Sequence, residues 1–197
     1  MAKKLDHVVV VDVESTCWDD SPPPGEVSEI IEIGVCPLEL STGRRLEKRS
    51  ILVRPKRSRV SSFCTQLTTL TQEQVDRGIT FMEACEILRK KYQSCDRVWC
   101  SFGDYDRTMF QKQCDATGVP YPFGPRHLNV KTLFAVARGL PHEVGMGEAL
   151  GLMGVPLEGT HHRGDDDAWN IAGILAELVG KLRGRSYQGP FVERMVR

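Results

Sequence analysis

The 197-residue chain has no long apolar run. Val8 to Val11, the clearest, is four residues, against about 20 for a membrane-spanning helix. Its first residues, MAKKLDHVV, lack the apolar segment of a secretion signal. Neither membrane insertion nor secretion is expected. There is no CxxC pair either: no two of the seven cysteines are closer than five positions. That argues against a zinc ribbon or a dithiol redox centre. The thiols are expected to stay reduced, mostly as small buried hydrophobes, in a cytoplasmic protein. An excess of one charge sign is also missing, with 26 basic and 26 acidic residues. Taken alone, that balance speaks against a polyanion partner.

The charges that are present are unevenly spread. Residues 1–43 hold nine acids and two bases, whereas residues 44–59 hold eight bases and one acid. Such an arrangement suits a metal site beside a polyanion groove, and equally two solvated faces. No repeat or low-complexity segment breaks the chain, and its length suits one domain. Residues 1–183 are taken as that domain and 184–197, which has no periodicity, as a loose tail.

The β-branched run at 7–13 reads as a strand buried on both faces. Residues 29–40 and 44–55 read as two strands joined through Ser41-Thr42-Gly43, and 97–102 as another buried strand. Thr71 with Gln74 and Thr80 with Glu83 have capping-box spacing, so helices are expected to begin there. Asp104 is placed to cap a helix reaching about Thr117. Further helices are expected at 132–140, 146–154 and about 165–182. Three strands followed by alternating helices and short strands predict an α/β three-layer domain, a central mixed sheet flanked by helices.

Carboxylates stand at three junctions of this pattern. Asp12 and Glu14 close the first buried strand, and residues two apart point to the same face. Two such anions raise each other's pKa, and a divalent cation held by oxygen, Mg²⁺ or Mn²⁺, relieves the repulsion. The segment SFGDYDRTMF (101–110) offers Asp104 and Asp106 where a strand gives way to a helix; spacing does not choose between them. In HHRGDDDAWN (161–170), Asp167 shares the helix face of Ile171, Ile174 and Leu178 and so points inward. Asp166 falls on the polar side, and Asp165 is available as a cap. His161 and His162 precede this helix as equal rivals. Acids converging from three junctions are untenable without cations, and with two cations they form an arrangement used for phosphodiester cleavage.

These three segments resemble the three exonuclease motifs of the DEDDh 3′→5′ exonucleases, the superfamily of RNase T and the DNA polymerase III proofreading subunit. The form DVESTCW at 12–18, the segment FCTQLTTLTQEQVD (63–76) and the strings GDYD and DDAWNIA are most similar to the Eri-like exoribonucleases, which include the histone-mRNA 3′ exonuclease. The resemblance spans roughly residues 5–182. It implies a ribonuclease-H-like fold, two Mg²⁺ or Mn²⁺ ions, Asp106 rather than Asp104, and His162 rather than His161. On this basis Asp12, Glu14, Asp106 and Asp167 hold the metals and His162 is the general base. The implied reaction hydrolyses single-stranded RNA from its 3′ end to nucleoside 5′-monophosphates. Ser15, Thr16, Cys17, Trp18, Phe63 and Tyr105 are candidate contacts to the terminal nucleotide, and the bases from Arg44 to Arg59 are candidate phosphate contacts. The rivals are a DNA-directed or proofreading exonuclease, which uses the same residues, and a non-catalytic RNA-binding scaffold, which is expected to have lost a carboxylate. None of the carboxylates is lost.

Overall fold

The computed structural model describes residues 4–184. In chain order they form β1 (Lys4–Ser15), β2 (Ile30–Glu39), β3 (Arg49–Leu52), α1 (Ser62–Thr68), α2 (Gln72–Asp76), α3 (Phe81–Lys90), β4 (Arg97–Ser101), α4 (Tyr105–Thr117), β5 (His127–Asn129), α5 (Val130–Arg138), α6 (Met146–Met153) and α7 (Gly164–Leu182). The strands make one mixed sheet of order β3-β2-β1-β4-β5. β2 runs antiparallel to β1 and β3, while β4 and β5 run parallel to β1 and to each other. This is the expected ribonuclease-H-like three-layer α/β arrangement.

β1 is the central strand, and its alternation builds both cores. Val8 and Val10 pack with Phe134, Leu150, Ile171 and Leu175 under α5, α6 and α7. Val9, Val11 and Val13 pack with Phe81, Leu88, Phe110 and Trp99 on the α3 and α4 side. The even-numbered side chains of β1 therefore face α7, and Asp12 and Glu14 continue that row beyond the last apolar pair. Both capping boxes form, Thr71 with Gln74 and Thr80 with Glu83. Five cysteines, residues 36, 64, 85, 100 and 114, are buried. Among the described residues, no helix is long and apolar enough to cross a membrane.

Three expectations need correction, and one helix was missed. The strand read at 44–55 is a ladder only over Arg49–Leu52, with isolated bridges from Arg45 to Leu38 and from Val53 to Ile79. The Glu39 amide donates to Arg44 and the Leu46 amide to Pro37 to make the Arg45 bridge, and the register then shifts by one residue before Arg49 pairs with Val35. Helix α1 was not foreseen, although Ser61 caps it by accepting the Cys64 amide. Asp104 occupies the cap position of α4 without a side-chain cap bond. Asp165 is not a cap: α7 begins one residue earlier, at Gly164, with Arg163 in the cap position. The tail expected at 184–197 lies outside the described residues, apart from Gly184.

Candidate active site

The carboxyl end of β1, the start of α4 and the start of α7 converge on one open cavity of about 390 Å³. Asp12, Glu14, Ser15, Cys17, Tyr105, Asp106, His161, His162 and Asp167 line it, together with Leu67, Phe102, Lys131, Gly145, Met146 and Ile171. Asp12, Glu14 and Asp167 each place a carboxylate oxygen within 4.8 Å of the other two. Asp167 is one turn into α7, on the face that carries Ile171 and Ile174 into the core. Its carboxylate is 4% exposed. Asp106 is equally buried; its Oδ1 accepts the Val13 amide at 2.8 Å, between the two acids of β1. Asp104 instead points to solvent beside Asn129 and His127. Of the two aspartates that spacing left open, Asp106 is the one in the cavity.

Burial dominates the electrostatics. It pushes Asp12 well above the usual carboxylate range, with Asp106, Glu14 and Asp167 adding repulsion. Burial and the charges of Asp167 and Glu32 push Glu14 up to about 8, and burial takes Asp106 to about 6 against its hydrogen bond from Val13. Burial also raises Asp167. Buried acids that resist ionisation together form a set that a hard cation neutralises. The donors are all oxygen, which matches Mg²⁺ or Mn²⁺ rather than zinc.

Both histidines reach Asp167. His161 places Nδ1 3.0 Å from Asp167 Oδ2, and the His162 amide donates to the same oxygen at 3.0 Å. The two rings stack with centroids 4.0 Å apart. His162 has φ +63°, a left-handed conformation held by the hydrogen bond that its amide donates to Asp167. Burial and the neighbouring His161 keep the His162 imidazole below its usual pKa.

What presses α7 against the sheet was not foreseen from sequence. Glu32 of β2 is fully buried and accepts from Arg163 Nη2 at 3.0 Å, Arg163 Nε at 3.2 Å and the Gly164 amide at 2.9 Å, as well as from Ser50. It pairs with Glu14 across the β1–β2 ladder. Asp166 closes the other side of the loop, accepting the Thr160 amide at 2.8 Å and pairing with Lys48.

Three candidate nucleotide contacts lie outside the cavity wall. Thr16 is buried and spends its hydroxyl on the Val27 carbonyl and the Glu29 amide. Trp18 and Phe63 are half-buried and do not line the cavity. Nor does any base from Arg44 to Arg59. Arg45 pairs with Glu158, Lys48 with Asp166 and Arg49 with Glu47. Lys131 is the only lysine or arginine in the cavity wall among the described residues.

Comparison with known proteins agrees with this geometry. The RNase_T exonuclease family matches residues 9–175. Human 3′-5′ exoribonuclease 1 is 29% identical over 187 residues, covering 88% of this chain and 52% of that protein. The Drosophila melanogaster 3′-5′ exonuclease Snipper is 27% identical over 195 residues, covering 88% and 69%. The solved nuclease domain of 3′hExo, a DEDDh family member bound to rAMP, superposes with a TM-score of 0.80 at 28% identity, covering 89% of this chain and 92% of that domain. The chain thus spans about half the length of the human exoribonuclease and nearly all of the solved nuclease domain. With the family profile running from β1 into α7 through every carboxylate of the cavity, the chain belongs to the RNase_T exonuclease family.

Proposed function

We propose that the chain is a 3′→5′ exoribonuclease that removes nucleoside 5′-monophosphates from single-stranded RNA ends, with residues 1–183 as its catalytic domain. The observation that carries this is the meeting of Asp12, Glu14 and Asp167 within 4.8 Å, beside His162, in a cavity open to solvent. The names of its relatives support RNA as substrate, and the rAMP held by the 3′hExo domain supports a ribonucleotide in this cavity.

In this reading Asp12, Glu14, Asp106 and Asp167 hold two divalent cations, Mg²⁺ or Mn²⁺. When bound, these supply activation of water and neutralisation of charge at the phosphate and the leaving 3′-oxygen. His162, held below its usual pKa, is neutral at pH 7 and takes the proton of the attacking water. Asp167 fixes the His162 loop through the His162 amide. Ser15 and Tyr105, whose hydroxyls lie 2.5 Å apart, present a polar wall to the last sugar, with Cys17 beside them. With the balanced total charge, affinity for the body of the substrate is modest and selectivity lies at its 3′ end.

The test compares 5′-labelled single-stranded RNA with DNA of the same sequence, in Mg²⁺, in Mn²⁺ and in chelator. Stepwise shortening of the RNA from its 3′ end, metal-dependent and lost in Asp12→Ala, is expected. RNA binding without hydrolysis under every metal condition would return the chain to the scaffold class, and preference for the DNA strand would move it to the DNA-directed exonucleases.

A further inference from the structure

The cavity holds a second set of ligand atoms, which the catalytic reading does not use together. His161, His162 and Asp167 each place one such atom, a ring nitrogen or a carboxylate oxygen, within 4.8 Å of the other two. Asp167 is common to this set and to that of Asp12 and Glu14. His161 Nδ1 lies 3.0 Å from Asp167 Oδ2 and 3.3 Å from Oδ1. The His161 side chain is 45% exposed and that of Asp167 5%, so the pair has a fixed inner half and a free outer one. Backbone holds the inner half, because the His162 amide donates to Asp167 Oδ2 at 3.0 Å. All three residues line the open cavity, so an ion reaches them from solvent without local unfolding.

The two sets differ in chemistry. Carboxylates alone suit Mg²⁺ or Mn²⁺, whereas two imidazoles with one carboxylate suit a borderline transition ion, of which Zn²⁺ is the common case. Zn²⁺ sits about 2.0–2.2 Å from such nitrogens and oxygens, so two ligands of a tetrahedral centre stand about 3.3–3.5 Å apart. The His161–Asp167 separation is already close to that bite. The hydrogen bond between Nδ1 and the carboxylate gives way to the larger cation. The two imidazoles stack with 10° between their planes, and parallel rings do not aim their lone pairs at one point. His161, the exposed ring, therefore turns about its side-chain bonds as the third ligand engages. Three protein ligands leave a fourth position to water, as in zinc sites that keep an open face.

We propose that His161, His162 and Asp167 form a Zn²⁺ site, and that zinc bound there switches the enzyme off. An imidazole whose lone pair is on zinc takes no proton from water, and Asp167 is drawn away from Asp12 and Glu14. The binding stands on the geometry alone; the inhibition rests on the catalytic reading, in which His162 is the base. In the test, Zn²⁺ is titrated into the substrate-free protein against a chromophoric chelator, with Mg²⁺ in excess to fill the carboxylates. The same steps of free Zn²⁺ are applied to the shortening of 5′-labelled RNA in Mg²⁺, each variant being compared with its own zinc-free rate. His161→Ala and His161→Gln remove one ligand of three at an exposed position. Each is expected to weaken Zn²⁺ binding about 10-fold or more and to raise the inhibitory Zn²⁺ concentration by the same factor. Zn²⁺ affinity and inhibition indifferent to both substitutions would overturn the proposal and move the ion to the carboxylates or to a thiol. Binding that depends on His161 but leaves RNA hydrolysis untouched would overturn the switch. Binding that depends on His161, in a chain that hydrolyses no RNA in Mg²⁺, would support the zinc site and overturn the catalytic reading, and the switch with it.

Discussion

Gly34 of β2 and Gly164 of α7 meet backbone to backbone: a Cβ built on Gly34 would lie 1.8 Å from the Gly164 carbonyl oxygen. No side chain fits between the strand and the start of the helix, and this approach carries Asp167 over Asp12 and Glu14. The Gly164 amide completes the contact by donating to Glu32, two residues from Gly34. A helix start pinned by backbone contact holds its side chains to a fraction of an ångström, which metal-dependent chemistry requires.

Replacing Gly34 by alanine forces that contact apart, since both colliding groups are backbone and neither can rotate away. A destabilisation of about 1–3 kcal/mol is expected, the usual scale for over-packing, together with a drop in activity larger than the stability loss explains. Thermal melts and rate measurements on the same preparation check this. Wild-type activity in a Gly34→Ala protein would show that α7 has freedom the geometry denies it.

The Glu32–Arg163 pair makes a different prediction. Glu32 is fully buried and Arg163 half-buried. Arg163→Met leaves a carboxylate in the core beside Glu14, and a loss of about 3 kcal/mol is expected for a buried pair broken on one side. Adding Glu32→Gln to that variant removes the stranded charge and is expected to recover part of the stability. Losses that simply add in the double variant would show that the two side chains do not depend on each other.

Protonation and metal act on the same carboxylates. Glu14 at about 8 and Asp106 at about 6 both lie above the ordinary carboxylate values that the unfolded chain shows. The folded, metal-free protein therefore binds more protons than the unfolded one between about pH 4 and pH 8. Stability from these groups is full below the unfolded values and is lost as pH rises through the folded ones. In chelator, the melting temperature is expected to fall from mildly acidic pH toward pH 8; with saturating Mg²⁺ the slope is expected to flatten or reverse. Parallel curves with and without metal would detach the cluster from cation binding.

How much of this was legible in the sequence depends on the range of the interaction. Asp12 with Glu14 followed from the two-residue period of a strand, and Asp167 from the apolar stripe of its own helix. Asp104 and Asp106 both fall where β4 gives way to α4, and only the position of β1 decides which is taken up, through the Val13 amide. Nothing in the sequence singles out Glu32, because its partner Arg163 is 131 positions away. The bases from Arg44 to Arg59 looked like a groove in one dimension, yet Glu158, Asp166 and Glu47 engage three of them in the fold. Local periodicity carries Asp12, Glu14 and Asp167; the contacts that hold them in place are non-local and become visible only in the folded chain.

The two histidines give the sharpest remaining prediction, because proximity alone does not separate them. His161 is the nearer ring to Asp167 and the more exposed, whereas His162 is half-buried and held at φ +63° by its own amide. A base that must be neutral at pH 7 is better served by the imidazole that burial keeps below its usual pKa, which is His162. His162→Ala is expected to lower kcat by about 10²- to 10⁴-fold, the range for loss of a general base, with KM for the RNA changed little. His161→Ala is expected to cost far less, since it removes a stacking neighbour and a contact that bound cations replace at Asp167. Steady-state rates for both variants at saturating metal settle the order. A larger loss at His161 would exchange their roles: the ring now paired with Asp167 would be the base, and His162 the strained residue that holds it there.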